Sequence, residues 1–277
     1  MTRRILITGA TGFVGRQVLR ALLEGDTRLI CVTRNESSKE IPNSPQIEKK
    51  VLTKNLFSEE EAWWREVLQG VDTIVHLAWY VEPATYQTSN KNLDCLIGTL
   101  QIARAALRAG VRRFVGVGTC LEYKSSTRPL STTDPLLPLS PYAACKAAIY
   151  LALCEMLPRD GIEFAWCRLF YLHGEGENPR RLVPTLRSRL SKGQIVDLTE
   201  GSQVRDFMDV RQAGRQIADI AVSDKCGAFN ICSGQPVVLR QFVESIADEY
   251  AGRNLLHFGA REDRPNDPPY MVGVNSL

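Results

Sequence analysis

Short apolar runs alternate with longer stretches of helical periodicity through the first 120 residues. RRILIT (3–8), LICVT (29–33), KKVLT (49–53), DTIVHLA (72–78) and RRFVGVG (112–118) read as strands. Between them, Phe13–Glu24, Ser58–Gly70 and Asn92–Ala109 read as helices, the second opened by a capping-box pattern from Ser58 to Glu61. A loop through Ile41–Ser44 carries the proline that leads into 49–53. Continuous apolar strands separated by helices specify a parallel sheet covered on both faces. After about Phe170 the pattern loosens, and Pro, Gly and Arg interrupt short elements. The expected division is a sheet domain over 1–170, rejoined by about 210–235, and a smaller C-terminal lobe from 171–209 and 236–277.

Directly after the first strand comes TGATGFVG (8–15), which opens the first helix. Such a turn brings the backbone close to a pyrophosphate and aims a helix N-terminus at its charge. Placed inside a βαβ unit, Gly9, Gly12 and Gly15 mark a Rossmann-type, doubly wound α/β dinucleotide-binding fold. The second strand runs into Thr33-Arg34-Asn35 without an acid to accept ribose hydroxyls. Arg34 suits the additional phosphate of NADP, so NADP(H) is expected over NAD(H).

Composition narrows the partners. With 34 basic and 31 acidic residues the net charge is +3, which argues against nucleic acid as the main partner. Eight scattered cysteines without a CxxC, and only three histidines, indicate reduced thiols in a cytoplasmic protein and no metal site. The basic start ahead of Ile5–Ile7 is broken by glycines and has no cleavage site, so no signal peptide is expected. No apolar stretch reaches membrane-spanning length, so no membrane partner is expected either.

Of the eight tyrosines, only Tyr142 has a lysine four residues on, in SPYAACK (140–146). Residues four apart share one helix face. A neighbouring ammonium favours the phenolate and is expected to lower the Tyr142 pKa from about 10. Past Lys146 the helix reads AAIYLALCEML, apolar on more faces than one core stripe needs, as is 92–109. A homodimer is expected through helices 92–109 and 140–157, with Leu153 pointing outward.

These motifs resemble the extended short-chain dehydrogenase/reductases that act on nucleotide sugars. The resemblance rests on TGATGFVG, VDTIVHLAW, GVGTCLEY, SPYAACK, RLFYLHGEG, GSQVRDFMDV and FNICSGQPVVLRQF, and covers nearly the whole chain. It implies a catalytic trio of Thr119, Tyr142 and Lys146, with Lys146 also bonding the nicotinamide ribose. It further implies cofactor contacts from Gly9, Thr11, Gly12, Phe13, Val14, Gly15, Arg34, Asn55, Leu56, Leu77 and Ala78. Substrate contacts would come from Thr119 and Cys120, with Asn178, Arg205 and Arg264 near the diphosphate; Arg180 and Arg181 are expected to be a solvated helix start. A homodimer of four-helix type is implied as well.

The departures are informative. Family dehydratases follow the Thr with an Asp-Glu pair, where this chain has Cys120 and Leu121, so 4,6-dehydration is not expected. Glu122 would face away along a continued strand and is expected to be a solvated loop carboxylate. Cys95 stands where the family has Asn, with Asn92 one turn away; His173 replaces a tyrosine, and Arg211 and Gln212 replace aspartates. The finer likeness, through GENPRRLVP, QVRDF and HFGAREDRPND, is to NDP-4-keto-6-deoxyhexose reductases such as those making abequose on CDP. The expected activity is NADPH-dependent reduction of a 4-ketone on a nucleotide sugar. The alternatives are a 4-epimerase with tightly held NAD and a non-catalytic dinucleotide sensor.

Overall fold

The computed structural model describes residues 2–263 and 267–277. The elements run β1 (Arg3–Thr8), α1 (Gly15–Leu23), β2 (Thr27–Thr33), β3 (Ile47–Leu52), α2 (Glu61–Val67), β4 (Thr73–His76), α3 (Lys91–Ala109) and β5 (Arg113–Thr119). They continue with α4 (Pro141–Met156), β6 (Glu163–Leu169), β7 (Tyr171–His173), α5 (Leu182–Leu190), β8 (Val196–Asp197), β9 (Val204–Arg205), β10 (Phe207–Asp209) and α6 (Val210–Val222). Last come β11 (Gly227–Ile231), β12 (Val237–Val238), α7 (Leu239–Asp248), β13 (Leu256–His257) and β14 (Tyr270–Met271).

Seven strands form one parallel sheet in the order β11-β6-β5-β4-β1-β2-β3. Alternate side chains of each strand go to opposite faces, and both faces are buried. Ile5, Ile7, Val75, Val115 and Cys167 pack with Val18 and Leu22 of α1 and Ile217 and Ala221 of α6. Leu6, Ile74, Phe114 and Trp166 pack on the other face with Trp64 of α2, Ile102 of α3 and Ile149 of α4. The strand order reverses between β1 and β4, the position where a crevice opens at the strand C-termini. A separate apolar cluster joins α5 and α7 through Leu186, Leu190, Val243 and Ile246.

Two expectations are corrected. Ser58 does not cap the second helix: Asn55 accepts the Phe57 N–H at 3.2 Å and Ser58 donates to the Asn55 carbonyl at 2.9 Å. That local turn takes residues 56–58, and α2 begins at Glu61. Leu153 is not outward-facing either. It is 2% exposed and packs beside Phe164, while Leu151 is 56% exposed. Because α4 is apolar nearly all round, its pattern does not say which apolar residue covers the sheet.

Candidate active site

Backbone proximity shapes the cradle at the end of β1. Gly9 has φ +73°, and a Cβ there would stand 2.7 Å from the Ala78 nitrogen; one at Gly15 would overlap the Gly9 carbonyl. The Gly12 N–H donates to Gly9 at 3.0 Å, and α1 opens without a side-chain cap. The helix thus starts directly after the turn that follows β1, with the positive end of its dipole at the C-terminal edge of the sheet, the arrangement a pyrophosphate needs. Thr11, Phe13 and Val14 line the turn half-exposed, opposite half-exposed Leu77 and Ala78. Arg34 lies exposed past β2, its Nε 3.8 Å from Glu36. Asn55, exposed, and Leu56, half-exposed, follow β3.

A buried relay fixes the end of β4. The Ala78 N–H donates to Thr8 Oγ1 (3.3 Å), which meets His76 Nδ1 (2.9 Å); His76 Nε2 meets Thr99 Oγ1 (2.9 Å), which donates to the Cys95 carbonyl (2.7 Å). Because Thr99 spends its proton on Cys95, the ring must donate from Nε2 and accept at Nδ1. Burial and the nearby Lys146 cation hold His76 neutral, with its pKa down at about 3.

The Ser140 hydroxyl accepts the Ala143 N–H at 3.3 Å, and Pro141 opens α4. The Tyr142 N–H donates to the Gln87 carbonyl at 3.1 Å, tying the helix start to the loop after β4. Tyr86 of that loop meets the Tyr142 ring edge-on at 4.9 Å, and Trp79 does so at 6.3 Å. Burial raises the phenol above its usual pKa, with Tyr86 and Glu122 adding to the rise and the Thr119 hydroxyl opposing it. This reverses the expected effect of Lys146. The ammonium donates to the Val117 carbonyl at 2.6 Å and lies 3.8 Å over the Trp79 ring. Burial lowers Lys146 to about 7, against the pull of Glu122 and Cys95.

Strand geometry stops at Thr119, and Cys120–Glu122 form a 3₁₀ turn closed by a capping box between Thr119 and Glu122. Glu122 is therefore fully buried, not a solvated loop residue. Its Oε1 accepts the Thr119 N–H at 2.8 Å, its Oε2 accepts Arg168 Nε at 2.8 Å, and the Trp166 indole N–H bridges both oxygens at 3.1 and 3.2 Å. Burial pushes the acid up and Arg168 pulls it back. All three partners donate and none accepts, so the pocket fits the carboxylate. Arg168 also donates to the Tyr123 hydroxyl at 3.0 Å, which donates to Asn230 at 2.7 Å.

Among the residues expected at the substrate, Cys120 is buried beside Thr119, and burial raises its thiol to about 12. Arg205 is buried, with Nη2 2.8 Å from Asp267 and its guanidinium 5.1 Å from the Tyr171 ring. Asp206 is taken by the backbone N–H groups of Ser233 and Gly234 at 2.8 and 2.9 Å. Asn178 accepts the Arg180 N–H at 3.0 Å within its own loop. Arg264 lies outside the described residues. Arg180 and Arg181 are exposed where α5 starts, as expected, with Arg180 paired to Glu82 and Arg181 5.5 Å over the Tyr86 ring. His173 packs on Phe242 at 5.5 Å, Arg211 pairs with Asp209 at 2.9 Å, and Asn92 accepts the Trp79 indole N–H at 2.8 Å.

Residues 5–232 match the model of the NAD dependent epimerase/dehydratase family. The chain belongs to that family. A dTDP-glucose 4,6-dehydratase of Streptomyces griseus is 30% identical over 98% of this chain and 86% of its own length. A dTDP-6-deoxy-L-talose 4-dehydrogenase (NAD(+)) of Aggregatibacter actinomycetemcomitans is 24% identical over 89% of this chain and 90% of its own. In structure, DesIV, a dTDP-glucose 4,6-dehydratase from Streptomyces venezuelae solved with NAD and TYD bound, aligns with TM-score 0.85 at 23% identity, covering 98% of this chain and 88% of that one.

As a member of the epimerase/dehydratase family, the chain brings the motif residues Thr119, Tyr142 and Lys146 to one end of the crevice. Sequence reasoning missed Trp79, Tyr86 and Tyr171 around them, and the buried role of Glu122. For Glu122 a signal existed. A Cβ at Gly116 would overlap the Trp166 ring, and one at Gly118 would overlap both the Trp166 indole nitrogen and Glu122. The glycines of GVGTCLEY make room for that pair.

Proposed function

We propose that this protein reduces the C4 ketone of a nucleoside-diphosphate 4-keto-6-deoxyhexose, using NADPH. The observation that carries the reading is the chemistry beside Thr119. Tyr142 is held as a protonated phenol, while Cys120 and Leu121 stand where a dehydratase of the family has an Asp-Glu pair. The relative named as a 4-dehydrogenase supports redox chemistry at that carbon. The crowded Gly9–Gly15 turn and the uncapped start of α1 fit a dinucleotide. When bound, the dinucleotide supplies the hydride that adds to C4. Tyr142 gives its proton to O4, completing the C4 alcohol, and recovers one from solvent. Thr119 donates a hydrogen bond to the same oxygen, and Lys146 holds the ribose. Arg34 reads the additional phosphate of NADP; Arg205, Arg264 and Asn178 meet the diphosphate. The protein works in the cytoplasm as a homodimer through α3 and α4, whose Leu93, Ile97, Leu151 and Met156 are exposed. The sheet domain and the C-terminal lobe divide near residue 170, with 210–235 returning to the sheet.

The test is to supply 4-keto-6-deoxyhexose on each common nucleoside diphosphate with 4-deuterated NADPH. Loss of nicotinamide absorbance with deuterium at C4 of the product is expected. Failure to reduce the ketone, together with inversion at C4 when the corresponding 4-hydroxy nucleotide sugar is supplied and no net cofactor oxidation, would overturn the reading in favour of an epimerase.

A further inference from the structure

We propose that Glu122, held by Arg168, is a positioning residue that fixes Thr119 as a hydrogen-bond donor and sets the field at Tyr142. The inference rests on the reading of Thr119 and Tyr142 as the groups that meet the ketone oxygen.

The geometry assigns each oxygen of Glu122 a separate task. Oε2 takes the Arg168 Nε–H, and Oε1 takes the Thr119 N–H, both at 2.8 Å. The carboxylate thus grips the backbone of the candidate catalytic residue. That grip closes the turn in which the Leu121 N–H donates to Thr119 Oγ1 at 3.3 Å. With an N–H already filling one lone pair, the hydroxyl proton is left to point toward Tyr142 and whatever oxygen lies between them. A residue that merely filled space would not need a charge here. Replacing a buried ion pair by apolar groups is commonly neutral or stabilising, so an ion pair at this depth is weak evidence for stability.

The groups facing Tyr142 are Thr119, Cys120 and Glu122 from the turn after β5 and Tyr86 from the loop after β4; Lys146 lies one turn along its own helix. Among them Glu122 is the anion, and Tyr123, Cys120, Trp166 and Arg168 surround it. Its charge adds to the rise that burial and Tyr86 give the phenol.

Two variants separate positioning from support. Glu122→Gln alone strands the Arg168 cation and is expected to lower Tm. Adding Arg168→Met removes that cation and should restore Tm. The double variant should still turn over about tenfold to a hundredfold more slowly, the scale of a misaligned catalytic group, with cofactor Kd unchanged. The high-pH limb of its rate profile should move to lower pH. Recovery of both Tm and the wild-type rate profile in the double variant would overturn the proposal. Ionisation of Tyr142, followed by tyrosinate absorbance against Tyr142→Phe, gives a readout without turnover. It should occur at lower pH in the double variant; an unmoved titration overturns the proposal even where no substrate is found. Lack of turnover by the unmodified chain counts against the reductase reading alone.

Discussion

Lys146 donates to the carbonyl of Val117 at 2.6 Å, so the ammonium braces the end of β5 instead of resting on the Tyr142 phenol. Burial depresses its pKa from 10.5 to about 7. The unfolded chain therefore binds the proton more tightly between those values, and stability from this group rises with pH across that window. It is complete above about 10.5 and lost as pH falls toward about 7. Unfolding free energy measured from pH 7 to 10 should rise less in Lys146→Met than in the unmodified chain. Equal slopes would place the lysine in water.

His76 carries the same sign at lower pH. Its pKa is about 3 against an ordinary 6.5, so its contribution is complete above 6.5 and lost as pH falls toward 3. The slope for one such group approaches about 1.4 kcal/mol per pH unit. In the folded protein the His76 ring proton resonance should hold its neutral position until the chain unfolds. A folded-state titration centred near 6.5 would contradict the closed Thr8–His76–Thr99 relay.

Tyr142→Phe keeps the packing against Tyr86 and Trp79 and removes only the hydroxyl. Turnover should drop by about 10² to 10⁴, the worth of a positioned acid, while cofactor affinity stays within twofold. Near-normal turnover would remove the phenol from the mechanism.

Arg34 is 64% exposed on its side chain and holds Glu36 loosely at 3.8 Å, so it is free to turn to a phosphate. Arg34→Ala should weaken NADPH binding by about 1.5 kcal/mol, the low end for a charge-assisted bond, because solvent screens it. NADH binding should be unchanged. Equal losses for both cofactors would show that Arg34 does not read the additional phosphate.

Leu151, 56% exposed on α4, tests the dimer. Sedimentation should give a dimer for the unmodified chain and a folded monomer for Leu151→Glu. Leu153→Glu, by contrast, places a charge in the core and should unfold the protein. A monomeric unmodified chain at micromolar concentration would remove the dimer.

What the sequence determined by itself is what local rules can carry. Alternating apolar runs specified the parallel sheet, because a strand buried on both faces has to be apolar throughout. The spacing of Gly9, Gly12 and Gly15 marked the cradle, a turn tight enough that Gly9 and Gly15 have no room for a Cβ. A tyrosine and a lysine four apart had to share a helix face. Distances across the sheet are a different matter. Glu122 reads as an exposed acid until Arg168 and Trp166, 46 and 44 residues away in the chain, arrive from β6 to enclose it. Trp79 and Tyr86 reach Tyr142 only because the loop after β4 folds back over the start of α4. The direction of the Tyr142 shift followed from that enclosure: burial of the phenol outweighs an ammonium that donates to the Val117 carbonyl. In α4, where nearly every position is apolar, hydropathy could not distinguish Leu151 from Leu153; contact with Phe164 and Trp166 decided which one the sheet would bury.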